Sequence, residues 1–229
     1  MDNANPVDVF GQAGTLLQRN AASCMAAGFV YLIVNIVLAI PSFVVQTAIE
    51  DGFGLGSEPS IAEALALLGF GLTIMTVQVV VGAVLSLGLG NFALRLVDHG
   101  EADVGNLIPD VGMIPAAISA GVASSFLMTL GILACCVGVF VAYPCTLFWS
   151  FFILDRRGGG IAAIQDGVRL IRDKPGANIA FGVILMALAG INALACCYLA
   201  SIVVIPFLHL SCALAYRQVF PAQPLLDQG

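Results

Sequence analysis

What this chain lacks most is charge. Only 10% of its 229 residues are Asp, Glu, Lys or Arg, against roughly 25% in ordinary globular domains. From Ile114 to Leu154, 41 consecutive residues contain no Asp, Glu, Lys, Arg or His. That run equals two crossings of a ~30 Å hydrocarbon layer at about 20 residues each. From Ala177 to Tyr216 the chain again has no Asp, Glu, Lys or Arg.

Each further scarcity removes a class of function. The chain carries eight basic residues and a net charge of −6, so no patch exists that could neutralise several phosphates, and a nucleic-acid partner is excluded. None of the seven cysteines stands in a CxxC or Cys/His spacing of the kind that holds zinc or haem. No nucleophile–base pair, carboxylate pair or phosphate loop can be assembled, so the expectation is a non-enzyme with no catalytic residue, cofactor or metal. The acids Asp98, Glu101, Asp103 and Asp110 gather near His99, but in a stretch read as a solvated loop. Strands of about ten alternating residues, which a membrane barrel requires, are absent as well. Asp2 and Asp8 stand where a signal peptide would be basic, so the first apolar helix is expected to be retained.

What is present is apolar residue in long blocks: 60% of the chain is hydrophobic and the mean hydropathy is +1.02. Lipid admits only helices or closed barrels. The fold class expected is therefore all-α: a polytopic membrane helical bundle of six transmembrane helices arranged as three hairpins, each preceded by a short interfacial segment. The spans fall at about 21–47, 61–90, 114–134, 138–155, 177–195 and 198–217, within a transmembrane domain of residues 21–217. Residues 1–20 form an amphipathic segment with Val7, Phe10, Gly14 and Leu17 on one face. Residues 161–173 form a second such helix, with Ile161, Ile164, Val168 and Ile171 at the same spacing, and both are expected to lie on the membrane surface. Residues 218–229 make a short tail. Ser60-Ile61-Ala62-Glu63 is a capping box that starts a helix at Ile61. Gly88 and Gly90 are read as a bend or membrane exit, with Asn91–Val97 at the surface.

Six crossings place Arg19, Arg95, Arg156, Arg157, Arg169, Arg172, Lys174 and Arg217 on one side and none on the other. By the positive-inside rule, both termini are cytoplasmic. Arg95, Arg156 and Arg217 are spaced 61 residues apart, and Ala134-Cys135-Cys136 and Ala195-Cys196-Cys197 share that offset. Three copies of one unit account for this spacing, and chance matching of small apolar residues is the alternative.

Four groups of residues are candidates for more than packing. Cys135, Cys136, Cys196 and Cys197 should sit at the outer hairpin tips, either as two bridges tying the hairpins together or as small packing residues. Asn35, Gln78, Asn192 and His209 are intramembrane polar groups. They serve either as interhelical hydrogen bonds or as the lining of a polar path, with Ser150, Asn192 or a carbonyl freed by Pro206 as the expected partner of His209. Arg169, Arg172 and Lys174 are possible contacts for anionic lipid head groups, and satisfy topology equally well. Glycines and serines in the second and third spans suit close backbone packing, and Trp149 and Tyr143 read as lipid-facing or packing aromatics.

The order of Gly131-Ile132-Leu133, Tyr143-Pro144, Phe152-Ile153-Leu154-Asp155 with a glycine turn, the amphipathic helix closed by Lys174-Pro175-Gly176, and Ala213-Leu214-Ala215-Tyr216-Arg217 carries a resemblance. Over roughly residues 85–220 the chain resembles a large bacterial family of six-helix integral membrane proteins of unknown function. Relatives of that family include the membrane domain preceding some glycerophosphoryl diester phosphodiesterases. The family usually has Ser in the amphipathic helix, where this chain has Gly167 or Val168. The resemblance implies a bacterial inner membrane and no catalytic residues of the chain's own. The function expected is a membrane scaffold or accessory subunit, or an organiser of lipid. The alternative is a small transporter or channel for a hydrophobic or amphipathic solute. Expected partners are membrane lipids and another membrane protein or a second copy of the chain.

Overall fold

The computed structural model describes residues 6–52, 60–134, 137–156, 158–173, 175–194 and 198–221. Among them regular structure is entirely helical, and six segments are long and apolar enough to cross a membrane. The protein is an all-α polytopic bundle.

A 14-residue amphipathic helix, α1 (Pro6–Arg19), leads into α2 (Ala21–Gly52) and α3 (Ile61–His99). Two short 3-10 turns, Val104–Leu107 and Val111–Met113, precede α4 (Ile114–Leu133). The return span is divided into α5 (Val137–Leu147) and α6 (Trp149–Arg156). A second amphipathic helix, α7 (Gly160–Asp173), is followed by α8 (Pro175–Leu194), one 3-10 turn and α9 (Ser201–Val219). The capping box starts α3 at Ile61 as expected, and Pro175 opens α8 at the position where a missing N–H costs nothing.

The hairpins close a ring. The return helix of each packs on the outgoing helix of the next: α3 on α4, α5 on α8, and α9 on α2. The element preceding each hairpin lies against the return helix before it. Thus α1 packs on α9, the turn Val104–Leu107 on α3, and α7 on α5 and α6. Glycines permit the closest approaches. Gly28 of α2 faces the backbone of Ile202 in α9, Gly88 meets the carbonyl of Leu107, and Gly160 meets the carbonyl of Ala116.

One end of the ring is filled with aromatic rings. Tyr216 is fully buried, with the rings of Phe148, Phe151, Phe152 and Phe220 at centroid distances of 5.1–6.5 Å. Phe10 of α1 stacks on Phe181 of α8 at 5.7 Å and on Phe207 of α9 at 6.1 Å. Between helices in lipid the hydrophobic effect offers little drive, so contacts of this kind supply the association energy. Each favourable aromatic pair adds about 0.5–1.5 kcal/mol.

Several expectations need correction. Gly88 and Gly90 do not end α3, which runs as one helix of 39 residues to His99. Their missing side chains instead admit Leu107 and the Ser150–Leu154 turn of α6. Within residues 91–97, Phe92, Ala93, Leu94 and Leu96 are buried against protein, whereas Arg95 is exposed. The fourth span is interrupted at Phe148, one turn after Pro144, whose ring removes a backbone donor and crowds the preceding turn. The amphipathic helices are not laid on lipid by their apolar faces. α7 buries Ala163, Ile164, Gly167, Leu170 and Ile171 against protein and leaves Ile161 and Val168 exposed. In α1 the buried face is centred on Val9 and Ala13, one position away from the expected stripe.

The two glycine environments give opposite signs for the same substitution. Ala at Gly69 gains helix propensity, up to ~1 kcal/mol, because its Cβ meets nothing. Ala at Gly28 places a Cβ 2.6 Å from the carbonyl carbon of Ile202, an overpacking that costs about 1–3 kcal/mol. Thermal unfolding in detergent, followed by the fluorescence of Trp149, should show Gly28→Ala lowering the midpoint and Gly69→Ala holding or raising it.

Candidate functional site

Two polar constellations stand out in an otherwise apolar bundle. The first joins the ends of the three return helices. Arg217 of α9 donates Nε and Nη2 to the two carboxylate oxygens of Asp98 in α3, at 2.8 and 2.6 Å. Its Nη1 reaches Asp155 Oδ2 of α6 at 2.7 Å, and the Tyr216 hydroxyl donates to the same oxygen at 3.1 Å. The Arg217 side chain is only 13% exposed, and its partners are 19% and 27% exposed. The fork suits Asp98 because guanidinium and carboxylate are planar groups of matching width. Asp98 is therefore not part of a solvated acid cluster. Of the other acids there, Asp110 accepts from the Gly112 N–H at 3.1 Å, a local turn contact.

The second constellation is a cleft of about 670 Å³ between α2, α3 and α4. α2 and α4 both lean on α3 without extended contact with each other, and the gap between them is the cleft. On its floor Gly82 opens into space, while the adjacent Ala83 meets Gly121 of α4 so closely that a Cβ there would stand 2.6 Å away. Gln78 bridges the hairpin, donating to Ser42 Oγ at 2.8 Å and to the Leu38 carbonyl at 3.3 Å. Asn35 donates to the Tyr31 carbonyl at 2.9 Å, within its own helix. Ser125 likewise bonds back to Gly121 at 2.9 Å. Ser124 also lines the cleft, and its buried hydroxyl has no protein partner. A hydroxyl left in that state costs about 1–3 kcal/mol. Trp149 is 7% exposed and lines the cleft, so it is not a lipid-facing aromatic.

The remaining candidates scatter. Of the four intramembrane polar residues, only Asn35 and Gln78 meet in the cleft. Asn192 donates to Ser201 Oγ at 2.9 Å and links α8 to α9. His209 donates Nδ1–H to the Ile205 carbonyl of its own helix at 3.0 Å, not to Ser150, Asn192 or a carbonyl freed by Pro206. Arg169 and Arg172 are exposed on α7, with Arg169 3.5 Å from Asp166, and Lys174 lies outside the described residues. Cys135, Cys136, Cys196 and Cys197 also lie outside the described residues. Cys24, Cys145 and Cys212 are free and buried. Among the described residues no three His, Cys, Asp or Glu side chains are grouped to hold a metal ion.

Sequence reasoning missed the Arg217 clamp and the aromatic layer. A signal for the clamp was available in the spacing, since Asp98 and Asp155 lie within three residues of Arg95 and Arg156 at the matching helix ends. Yet the three arginines are not equivalent, for Arg95 points away and is exposed. No protein-family model, curated protein or solved structure matches this chain.

The clamp makes a separable prediction. Arg217→Gln leaves two half-buried carboxylates facing each other and should cost about 1–3 kcal/mol. Adding Asp98→Asn removes one uncompensated charge, so the double variant should recover part of that loss. Equilibrium unfolding in mixed detergent micelles measures both, and a double variant weaker than the single one contradicts the assignment.

Proposed function

We propose that this protein is a non-enzymatic scaffold or accessory subunit of a membrane complex, with its first hairpin as the docking element. The observation that carries this reading is the outer half of α3. From Ile61 to Val77 no described residue is buried, and the half-buried ones, Leu67, Gly71 and Ile74, form one stripe. A separate face presents Leu65, Leu68, Leu72 and Met75, each 57–64% exposed, at the three-and-four spacing of a helix-packing seam.

Length adds to this. From Asp98 to Ile61, α3 reaches about 55 Å, whereas α9 reaches about 24 Å from Arg217 to Ser201. Lipid alone would cover such a helix only at a tilt beyond about 50°, outside the 0–40° range of transmembrane helices. The occupant that fits is the helix of another membrane protein that also rises beyond the bilayer.

Two finer readings accompany the proposal. The bundle is three copies of one unit, supported by the 61-residue offset of Arg95, Arg156 and Arg217 and by the cyclic order of contacts. The chain resides in a bacterial inner membrane with both termini cytoplasmic, supported by the family resemblance and the one-sided basic residues. A transporter or channel is less well supported, because His209, bonded to its own helix, and Asn192, bonded to Ser201, lie outside the cleft.

Affinity purification of the intact protein in a mild detergent tests the docking role. A membrane protein should co-purify in fixed stoichiometry, and Leu65→Ala/Leu68→Ala/Leu72→Ala should reduce its recovery about tenfold, equivalent to 1.4 kcal/mol, at unchanged yield of the bait. Repeated isolation as a lone monomer overturns the reading.

A further inference from the structure

The cleft between α2, α3 and α4 has features that docking of the first hairpin does not require. Its floor is open because Ala83 and Gly121 take up the tight contact between α3 and α4, leaving Gly82 facing empty space. Trp149 from the second hairpin is part of the lining, so two hairpins build the cavity. Its volume of about 670 Å³ lies within the range of small-molecule sites.

The chemistry of the walls narrows the occupant. No Asp, Glu, Lys, Arg or His lines the cleft. A charged head group here would have no counter-ion in a setting where an unpaired charge is most costly. The polar groups that do line it are neutral: the amides of Asn35 and Gln78 and the hydroxyls of Ser86, Ser124 and Ser125. Gln78 and Ser125 are engaged by protein, whereas the shielded hydroxyl of Ser124 is not. The rest of the lining, including Leu38, Met75, Val79 and Leu85, is aliphatic. Asn35 lies in the middle of the 21–44 apolar stretch, so the polar patch sits deep within the span. An occupant therefore needs a small uncharged head that both donates and accepts hydrogen bonds, and an aliphatic body.

We propose that this cleft binds a neutral long-chain amphiphile with a hydroxyl-bearing head, of the diacylglycerol or long-chain alcohol type, taken laterally from the membrane. The head bonds the Ser124 hydroxyl beside Asn35 and Gln78, and the tail lies over Gly82. This site meets the open seam of α3 only at Met75 and does not depend on a protein partner.

The test uses the intact protein in nanodiscs carrying equal mole fractions of photoactivatable diacylglycerol, a photoactivatable long-chain isoprenol, or photoactivatable phosphatidylglycerol. One of the two neutral probes should label peptides of α2, α3 and α4 about tenfold more than the anionic probe, and excess unlabelled neutral lipid should compete. Which neutral probe labels identifies the source. Gly82→Leu extends a side chain into the cleft from a Cβ position that meets nothing within 4 Å, and should abolish labelling with the unfolding midpoint unchanged. Gly69→Leu, on the same helix but outside the cleft, should label like wild type. Ser124→Ala should weaken competition several-fold by removing the free hydroxyl. Equal labelling by the anionic probe overturns the proposal, as does full labelling of Gly82→Leu. Should Gly82→Leu fail to fold, the neutral-to-anionic ratio and the Ser124→Ala competition decide the matter on their own.

Discussion

The ion pair of Arg217 with Asp98 and Asp155 is the constraint on which the arrangement of the three hairpins depends. It ties the ends of α3, α6 and α9, which are 119 and 62 residues apart in sequence, at one point. Its energetic worth is modest, because a half-buried pair loses hydration nearly as fast as it gains attraction. Its geometric worth is larger. A bidentate fork to Asp98 and a single bond to Asp155 fix the rotation and height of α9 relative to two other helices. A register shift of one residue turns a helix by about 100° and would take Arg217 out of reach. Directly above the clamp, the buried ring of Tyr216 must fit between Phe151, Phe152 and Phe220, so polar register and aromatic packing enforce each other.

With the return helices fixed at one end, glycine placement decides where they touch and where they do not. Gly28, Gly88, Gly160 and Gly167 each sit under a backbone carbonyl of a neighbouring element, an approach that any side chain would forbid. Gly69, Gly71 and Gly82 face nothing. The first set builds the ring. In the second set, Gly69 and Gly71 lie on the outer half of α3, and Gly82 opens into the cleft beside the contact of Ala83 with Gly121 of α4. One residue type thus does two jobs on one helix, and composition alone does not separate them.

This is also where legibility in the sequence stopped. The number of spans, their pairing and the helix start at Ile61 followed from the length of uncharged runs and one capping box, which are local signals with a direct physical cause. Interior ends were harder. α3 continues through Gly88 and Gly90 because tertiary contact with Leu107 and Ser150 offsets the weak helix propensity of glycine. The amphipathic pattern of α7 was plain, but periodicity gives a face and not its partner. Protein, not lipid, covers Ile164 and Ile171. Of the polar residues, Gln78 was legible as an interhelical bond, while Asn35 and His209 turned to carbonyls four residues back. That option is open to any polar side chain in a helix and leaves no mark in the sequence. The cleft could not be read at all, since it arises from two helices failing to meet.

The clamp and the cleft are linked by α6. Asp155 fixes the end of α6 in the ring, and Trp149, one residue beyond the break at Phe148, begins the same helix and lines the cleft. Just past the interruption at Phe148, the indole of Trp149 reaches a gap bounded by the first hairpin and α4. Trp149 thus adds the return span of the second hairpin to a cavity otherwise walled by α2, α3 and α4. Occupation of that cavity and the set of the clamp act on the same eight-residue helix. Together with α3, which walls the cleft and carries Asp98, α6 is an element through which a bound amphiphile would be felt at Arg217.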